Sequence, residues 1–140
     1  MITCTRKLHF SAGHRVVNHE SCCANVHGHN YNIFVTAEAP DLDSLGRVID
    51  FGVLKAKLGS WVDTYWDHTF ISAPNEDLRL LDAIAEVNNK PVFPLPYNPT
   101  AENMGLYLLN IVCPKLFIDT GIKIVNIRIW ETENCYVDAS

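Results

Sequence analysis

Apolar and polar positions alternate through residues 2–12, the period of a half-buried strand, and this run leads to His14. Residues 15–25 lose the alternation and read as a loop. Tyr31 to Ala39 is a second long strand ending at Pro40, and the two runs are expected to pair antiparallel. Asp41 to Arg47 is turn-like and precedes the short apolar Val48-Ile49-Asp50-Phe51. Over 52–64 the spacing changes: Val53, Leu54, Leu58, Trp61 and Val62 recur at a helical period. Asp67-His68-Thr69 is a break. Leu80, Leu81, Ile84 and Val87 then predict a shorter amphipathic helix over 78–87.

Prolines 91, 94, 96 and 99 keep the next stretch extended, with Val92 and Phe93 a candidate edge strand. Thr100 is placed to cap a helix that runs to about Leu116 and buries Met104, Leu108, Ile111 and Val112. Lys123 to Glu131 alternates strictly, a strand with one polar face, and Cys135-Tyr136-Val137 is a last short strand. Two strands, helices and two strands make an α+β fold, a four-stranded antiparallel sheet with helices on one face. Such a sheet leaves two edges free, and a long strand such as 123–131 invites association unless paired. A homo-oligomer that closes several sheets into a barrel removes those edges.

The 140 residues suit one domain, 1–140, with no repeat, linker or low-complexity segment. With 48% hydrophobic and 19% charged residues the chain is globular rather than disordered. A net charge of −5 argues against a nucleic-acid partner, though not against a small anionic substrate in a locally positive site. No apolar run reaches the roughly 18 residues of a membrane span. Met1-Ile2-Thr3-Cys4 leads straight into the first strand with no signal-peptide pattern. Five cysteines, an odd number without framework spacing, point to reduced thiols and a cytoplasmic protein.

The chemistry concentrates in Cys22-Cys23-Ala24-Asn25-Val26-His27-Gly28-His29. If His27 and His29 enter the second strand, both imidazoles share one face. His14 supplies a third. Three histidines are a common ligand set for a catalytic zinc with one position open, and they also accept other divalent ions. A His-x-His pair in a strand also has a plain reading as a surface or satisfied polar pair, so the rest of the chain must supply matching chemistry.

It does so in order: Phe10-Ser11-Ala12-Gly13-His14-Arg15, Cys23-x3-His27-Gly28-His29, Val48-Ile49-Asp50-Phe51-x2-Leu54-Lys55, Asp67-His68, Pro99-Thr100-Ala101-Glu102-Asn103 and Glu131-Thr132. Together these resemble the 6-pyruvoyltetrahydropterin synthase / 6-carboxytetrahydropterin synthase (QueD) family over nearly the whole chain. The resemblance implies the tunnelling fold (T-fold), with trimers stacking into hexamers and sites between subunits. It implies Zn²⁺ on His14, His27 and His29, with Cys23 as general base. His68 and Glu131 would form a proton relay, with Asp67 supporting His68. The implied reaction is a lyase one, converting 7,8-dihydroneopterin triphosphate to 6-carboxytetrahydropterin, acetaldehyde and triphosphate on the path to 7-deazaguanines such as queuosine.

The residue chemistry suits these roles. A free thiol titrates near ~8.5 and a nearby cation lowers that, so Cys23 is expected to act as a thiolate near neutrality. Asp67 and His68 would point apart on a strand, so their contact needs a turn or a neighbouring chain. A buried Glu131 carboxylate matches the amidine-like edge of a pterin, and Thr100 and Glu102 are candidates for the same ring. Each has a structural alternative: Glu131 as a solvated strand end, Asp67 as a helix cap, Glu102 as an ordinary first-turn residue, His68 as a structural histidine. Cys4, Cys113 and Cys135 read as small packing residues, the three tryptophans as core, and His9 and His19 as ordinary surface or strand residues.

The x3 spacing from Cys23 to His27 and Ile49-Asp50-Phe51 favour the carboxy branch. Trp66 replaces the usual leucine, and Ile71-Ser72 the usual Leu-Asn, so the pocket shape departs locally from the family pattern. The pyruvoyl reaction, which eliminates triphosphate from the same substrate and keeps the side chain, is the alternative. A non-catalytic pterin- or metal-binding module and an unrelated zinc hydrolase rank behind it.

Overall fold

The first two strands set the frame. In a computed structural model that describes all 140 residues, β1 (Thr3–His14) and β2 (His27–Glu38) pair antiparallel along their full length, from Thr3 opposite Glu38 to His14 opposite His27. Alternation buries one face of each: Leu8, Phe10, Ala12 and His14 on β1, then Tyr31, Ile33, Val35 and Ala37 on β2. Both histidines that precede Tyr31 by even steps, His27 and His29, share that face. β2 therefore starts at the histidine pair, four residues before the apolar run that revealed it.

Helices cover this face. The first, α1, runs through Phe51–Leu54, Lys55–Gly59 and Ser60–Tyr65, with Asp50 capping it through the Gly52 N–H at 2.8 Å. α2 is Leu78–Val87, and α3 runs through Ala101–Tyr107, Leu108–Val112 and Cys113–Leu116. Leu54, Leu58 and Val62 from α1, and Met104, Leu108 and Val112 from α3, join the sheet's core residues in one cluster. Each such side chain contributes about 1.5–3 kcal/mol by leaving water. No helix is long and apolar enough to cross a membrane.

Several expectations are corrected. The sheet has six strands, in the order β4-β3-β1-β2-β5-β6, rather than four. The additions are β3 (Thr69–Ser72), parallel to β1, and β4 (Phe93–Pro94), parallel to β3. All four β3 residues are buried, so the strand carries no alternation. β5 (Lys123–Thr132) is not an open edge, because β2 and β6 (Cys135–Ala139) pair with it on either side. Its alternation also breaks. Thr36 pairs with Asn126 and Ala37 with Ile124, which leaves Val125 unpaired in a bulge, so Ile124 and Ile127 both face the core.

Ile111 is 42% exposed instead of buried. The Leu108–Val112 segment is π-helical, and its wider turn rotates Ile111 outward while Val112 and Cys113 face in. α2 forms where its period predicts but buries none of its residues. Among the cysteines only Cys113 is buried; Cys135 is exposed. Trp66 is fully buried.

Candidate metal centre

The ends of β1, β2 and β5 bring four ligating side chains together. One ligand atom from each of His14, His27, His29 and Glu131 lies within 4.8 Å of all the others. Strand geometry explains why: His14 opposes His27 across the β1–β2 ladder, and His29 follows on the same face. Glu131 continues the Ile127–Ile129 face of β5 and reaches His29, with Oε1 at 2.9 Å from Nε2.

Backbone carbonyls fix the ring orientations. His14 Nδ1 donates to the Pro99 carbonyl at 2.7 Å, and His27 Nδ1 donates to the Asn25 carbonyl at 2.7 Å. With both Nδ1 protons so engaged, the two Nε2 atoms carry lone pairs, yet they face one another at 3.1 Å. Nitrogen ligands on a tetrahedral zinc stand about 3.3 Å apart, given bonds of about 2.0–2.1 Å. His29 Nε2 adds an independent sign. It is buried and close to Glu131, but the contact is not aligned as a hydrogen bond and the atom has no hydrogen-bond partner. Three converging imidazoles, two of them with the second nitrogen held by a carbonyl, fit a divalent cation.

The electrostatics agree. Burial, reinforced by His27 and His29 against the pull of the Pro99 carbonyl, holds His14 down to about 4 from the usual 6.5. Burial also lowers His29, opposed by Glu131. Both imidazoles are thus kept neutral, as a ligand must be. Tyr31, its hydroxyl 3.4 Å from both nitrogens of His14, closes the site from below, and burial with the Glu131 charge raises its phenol.

Cys23 sits in the 3-10 turn Cys22–Ala24, half-buried, with its carbonyl accepting from Val16 N–H at 2.8 Å. The lowering expected of this thiol depends on a nearby cation, and the chain's own groups act the other way. Burial, Cys22, Glu131 and Glu20 all raise it, so only a cation not supplied by the chain would bring it toward neutrality.

Asp67 and His68 do touch. His68 adopts φ 55, which turns the neighbouring side chains toward each other, and Nδ1 lies 2.8 Å from Asp67 Oδ2. Asp67 Oδ1 accepts from Ser11 N–H at 2.9 Å, and His68 N–H donates to the Ser11 carbonyl at 2.6 Å. Burial pushes Asp67 up, but Ser11, His68 and Lys90 outweigh it and leave the carboxyl lowered. His68 itself is 79% exposed and stands outside the four-residue cluster. It lines, with His27, Gly28, His29, Asn30 and Ile84, a depression of about 570 Å³, the size of a small-molecule site. A larger groove of about 680 Å³ between the end of α3 and the start of β5 holds no group of ligating side chains, so size does not locate the chemistry.

Thr100 caps α3 by accepting from Asn103 N–H at 3.2 Å, and Glu102 lies exposed in the first turn. Neither joins the cluster, though Pro99 ties this helix start to His14. Sequence reasoning missed the two carbonyls, which have no side-chain signature. It also missed Arg15, Glu76 and Lys90, whose contacts lie far apart in the chain.

The sequence profile of the 6-pyruvoyl tetrahydropterin synthase family matches residues 3–140. This chain belongs to that family. A protein from Rickettsia bellii named 6-carboxy-5,6,7,8-tetrahydropterin synthase is 41% identical over 138 residues, covering 99% of each chain. One of the same name from Rickettsia typhi is 38% identical over the same span. Among solved structures, an uncharacterized protein from Wolinella succinogenes superposes with a TM-score of 0.81 at 20% identity, over 99% of this chain and 97% of its own. The 6-pyruvoyl tetrahydropterin synthase of Plasmodium vivax gives 0.70 at 18%, over 99% and 98%. The fold is the T-fold, here with two short parallel strands added to the four-stranded sheet.

Proposed function

We propose that the chain is a zinc-dependent 6-carboxytetrahydropterin synthase, a lyase acting on 7,8-dihydroneopterin triphosphate to give 6-carboxytetrahydropterin, acetaldehyde and triphosphate. The observation that carries this reading is the convergence of His14, His27 and His29, the outer nitrogens of His14 and His27 being held by carbonyls. The names of the full-length relatives support the carboxy branch over the pyruvoyl one. Zinc, when bound, would supply the positive charge that acidifies the substrate's vicinal hydroxyls.

The chain's own residues do the rest. His14, His27 and His29 hold the metal. Cys23 takes the proton from the substrate side chain. Asp67 orients His68 through Nδ1 and leaves its Nε2 for proton transfer. Glu131 adjoins the histidines through Oε1, and its second oxygen makes no hydrogen bond within the chain. That oxygen serves the relay and accepts an N–H from the pterin edge. Thr100 and Glu102, brought near by the Pro99 contact, border the ring.

The exposed His68, outside the cluster, supports a homo-oligomer, a trimer or hexamer with sites between subunits. The product would feed 7-deazaguanine (queuosine) synthesis, and five free thiols suit the cytoplasm.

The test is incubation of zinc-loaded protein with 7,8-dihydroneopterin triphosphate, with products identified by mass, beside Cys23→Ala. 6-Carboxytetrahydropterin and acetaldehyde, lost in the variant, are expected. 6-Pyruvoyltetrahydropterin would move the chain to the other branch. No turnover with metal bound would leave a pterin- or metal-binding module. Mixing Cys23→Ala with His68→Ala subunits tests the shared site, because only a site between chains regains activity.

A further inference from the structure

α2 is an amphipathic helix with no buried residue, yet the segment that contains it reaches both turns that carry the proposed proton-transfer groups, one of them through Arg15. Just before it, Glu76 is fully buried in its side chain, and its Oε1 meets Arg15 Nε at 2.8 Å and Nη2 at 2.7 Å. Arg15 Nη1 donates onward to the Ala24 carbonyl at 3.1 Å, in the turn that carries Cys23. Just after α2, Lys90 Nζ donates to the Asp63 carbonyl at 2.7 Å and to the Asp67 carbonyl, at the turn that carries His68.

We propose that Glu76 and Lys90 are positioning residues: they anchor the two ends of the α2 segment and set the Cys23 turn and the Asp67–His68 turn in register with the metal centre. The assignment rests on the reading of Cys23 and His68 as the proton-transfer groups. A buried carboxylate with Oε2 unpartnered is costly to keep, and the fold keeps it where Arg15 links it to the Cys23 turn. Small misplacements of a reacting group cost about a hundredfold in rate, so anchors of this kind act on turnover more than on binding.

The experiment compares Glu76→Leu, Lys90→Met and Lys90→Arg with the exposed α2 control Glu86→Gln, all as full-length metal-loaded protein. Measured are kcat, KM, metal per chain and the rate of Cys23 alkylation by iodoacetamide, followed by mass spectrometry. Glu76→Leu should lower kcat about tenfold or more with KM and metal content unchanged, and should speed Cys23 alkylation several-fold. Lys90→Met should lower kcat comparably without altering alkylation, and Lys90→Arg should restore it.

Wild-type kcat and alkylation in Glu76→Leu, wild-type kcat in Lys90→Met, or metal lost in step with activity would overturn the proposal. Should Glu76→Leu fail to fold, Arg15→Met/Glu76→Leu removes both charges together, and wild-type kcat in that double variant overturns it equally. Activity retained in Cys23→Ala would instead sink the base assignment, while the alkylation rates still report on the Glu76 anchor.

Discussion

The histidine cluster and the Asp67–His68 turn stand close together but are built by opposite means. His14, His27 and His29 sit on paired strands, and His14 is 1% exposed. Cys23 and His68 sit on turns, and His68 is 79% exposed. Ligands to an ion, the role proposed for these histidines, must hold lone pairs at fixed separations, and a ladder of twelve strand pairs gives that rigidity. Cys23 and His68, proposed as the proton carriers, depend instead on turns that a few side-chain and backbone bonds hold in place. One edge of the molecule thus combines a half built on a strand ladder and a half built on anchored turns.

The sharpest way to break this contrast is His29→Ala. It should abolish metal binding, read as metal per chain near zero, and lower activity by at least about 10³-fold. Retention of stoichiometric metal would show that the strand histidines are not the ligands. Cys23→Ala comes next. Activity should fall about 10²–10⁴-fold while metal content stays at the wild-type level, because the turn does not hold the ion. Loss of metal there would erase the division between the two halves.

The contrast also has a pH signature in the metal-free protein. Folding lowers His14 from 6.5 to about 4, so the native state binds fewer protons than the unfolded chain between those values. Its stabilising contribution is full above 6.5 and is lost as pH falls toward 4, up to about 3 kcal/mol. Urea unfolding at several pH values measures it, and a flat profile would contradict the buried neutral imidazole. The smallest effect is expected at His68. His68→Ala should slow turnover yet change unfolding free energy by no more than about 0.5 kcal/mol, the range of exposed positions. A larger loss would mean that the turn is structural.

The strand half was the more legible from periodicity, while Cys23, Asp67 and His68 on the turns took their roles only from the family motifs. Period-2 alternation shows β1 and the Tyr31–Ala37 face of β2, and counting back by two reaches His29 and His27. The amphipathic period shows α1, α2 and most of α3. What stayed hidden has physical reasons. β3 is buried on both faces and has no alternation to read. The Val125 bulge and the π-helical turn at Leu108–Val112 shift phase without changing composition, which is why Ile111 was misplaced. The Asp67–His68 contact was expected given a turn or a neighbouring chain; what stayed hidden is the positive φ at His68 that supplies the turn, which no spacing rule encodes. The Arg15–Glu76 pair joins positions 61 apart.

The two carbonyls behind the histidines have a consequence for anyone wishing to move this centre elsewhere. Asn25 and Pro99 contribute an oxygen that every amino acid possesses, so replacing their side chains tests nothing unless the chain path shifts. A graft of the three histidines onto another antiparallel hairpin would copy the visible letters and leave out half the device. Its imidazoles would be free to spin and to choose either tautomer. Transplanting the site means transplanting two loops by their shape, whatever residues they are spelled with.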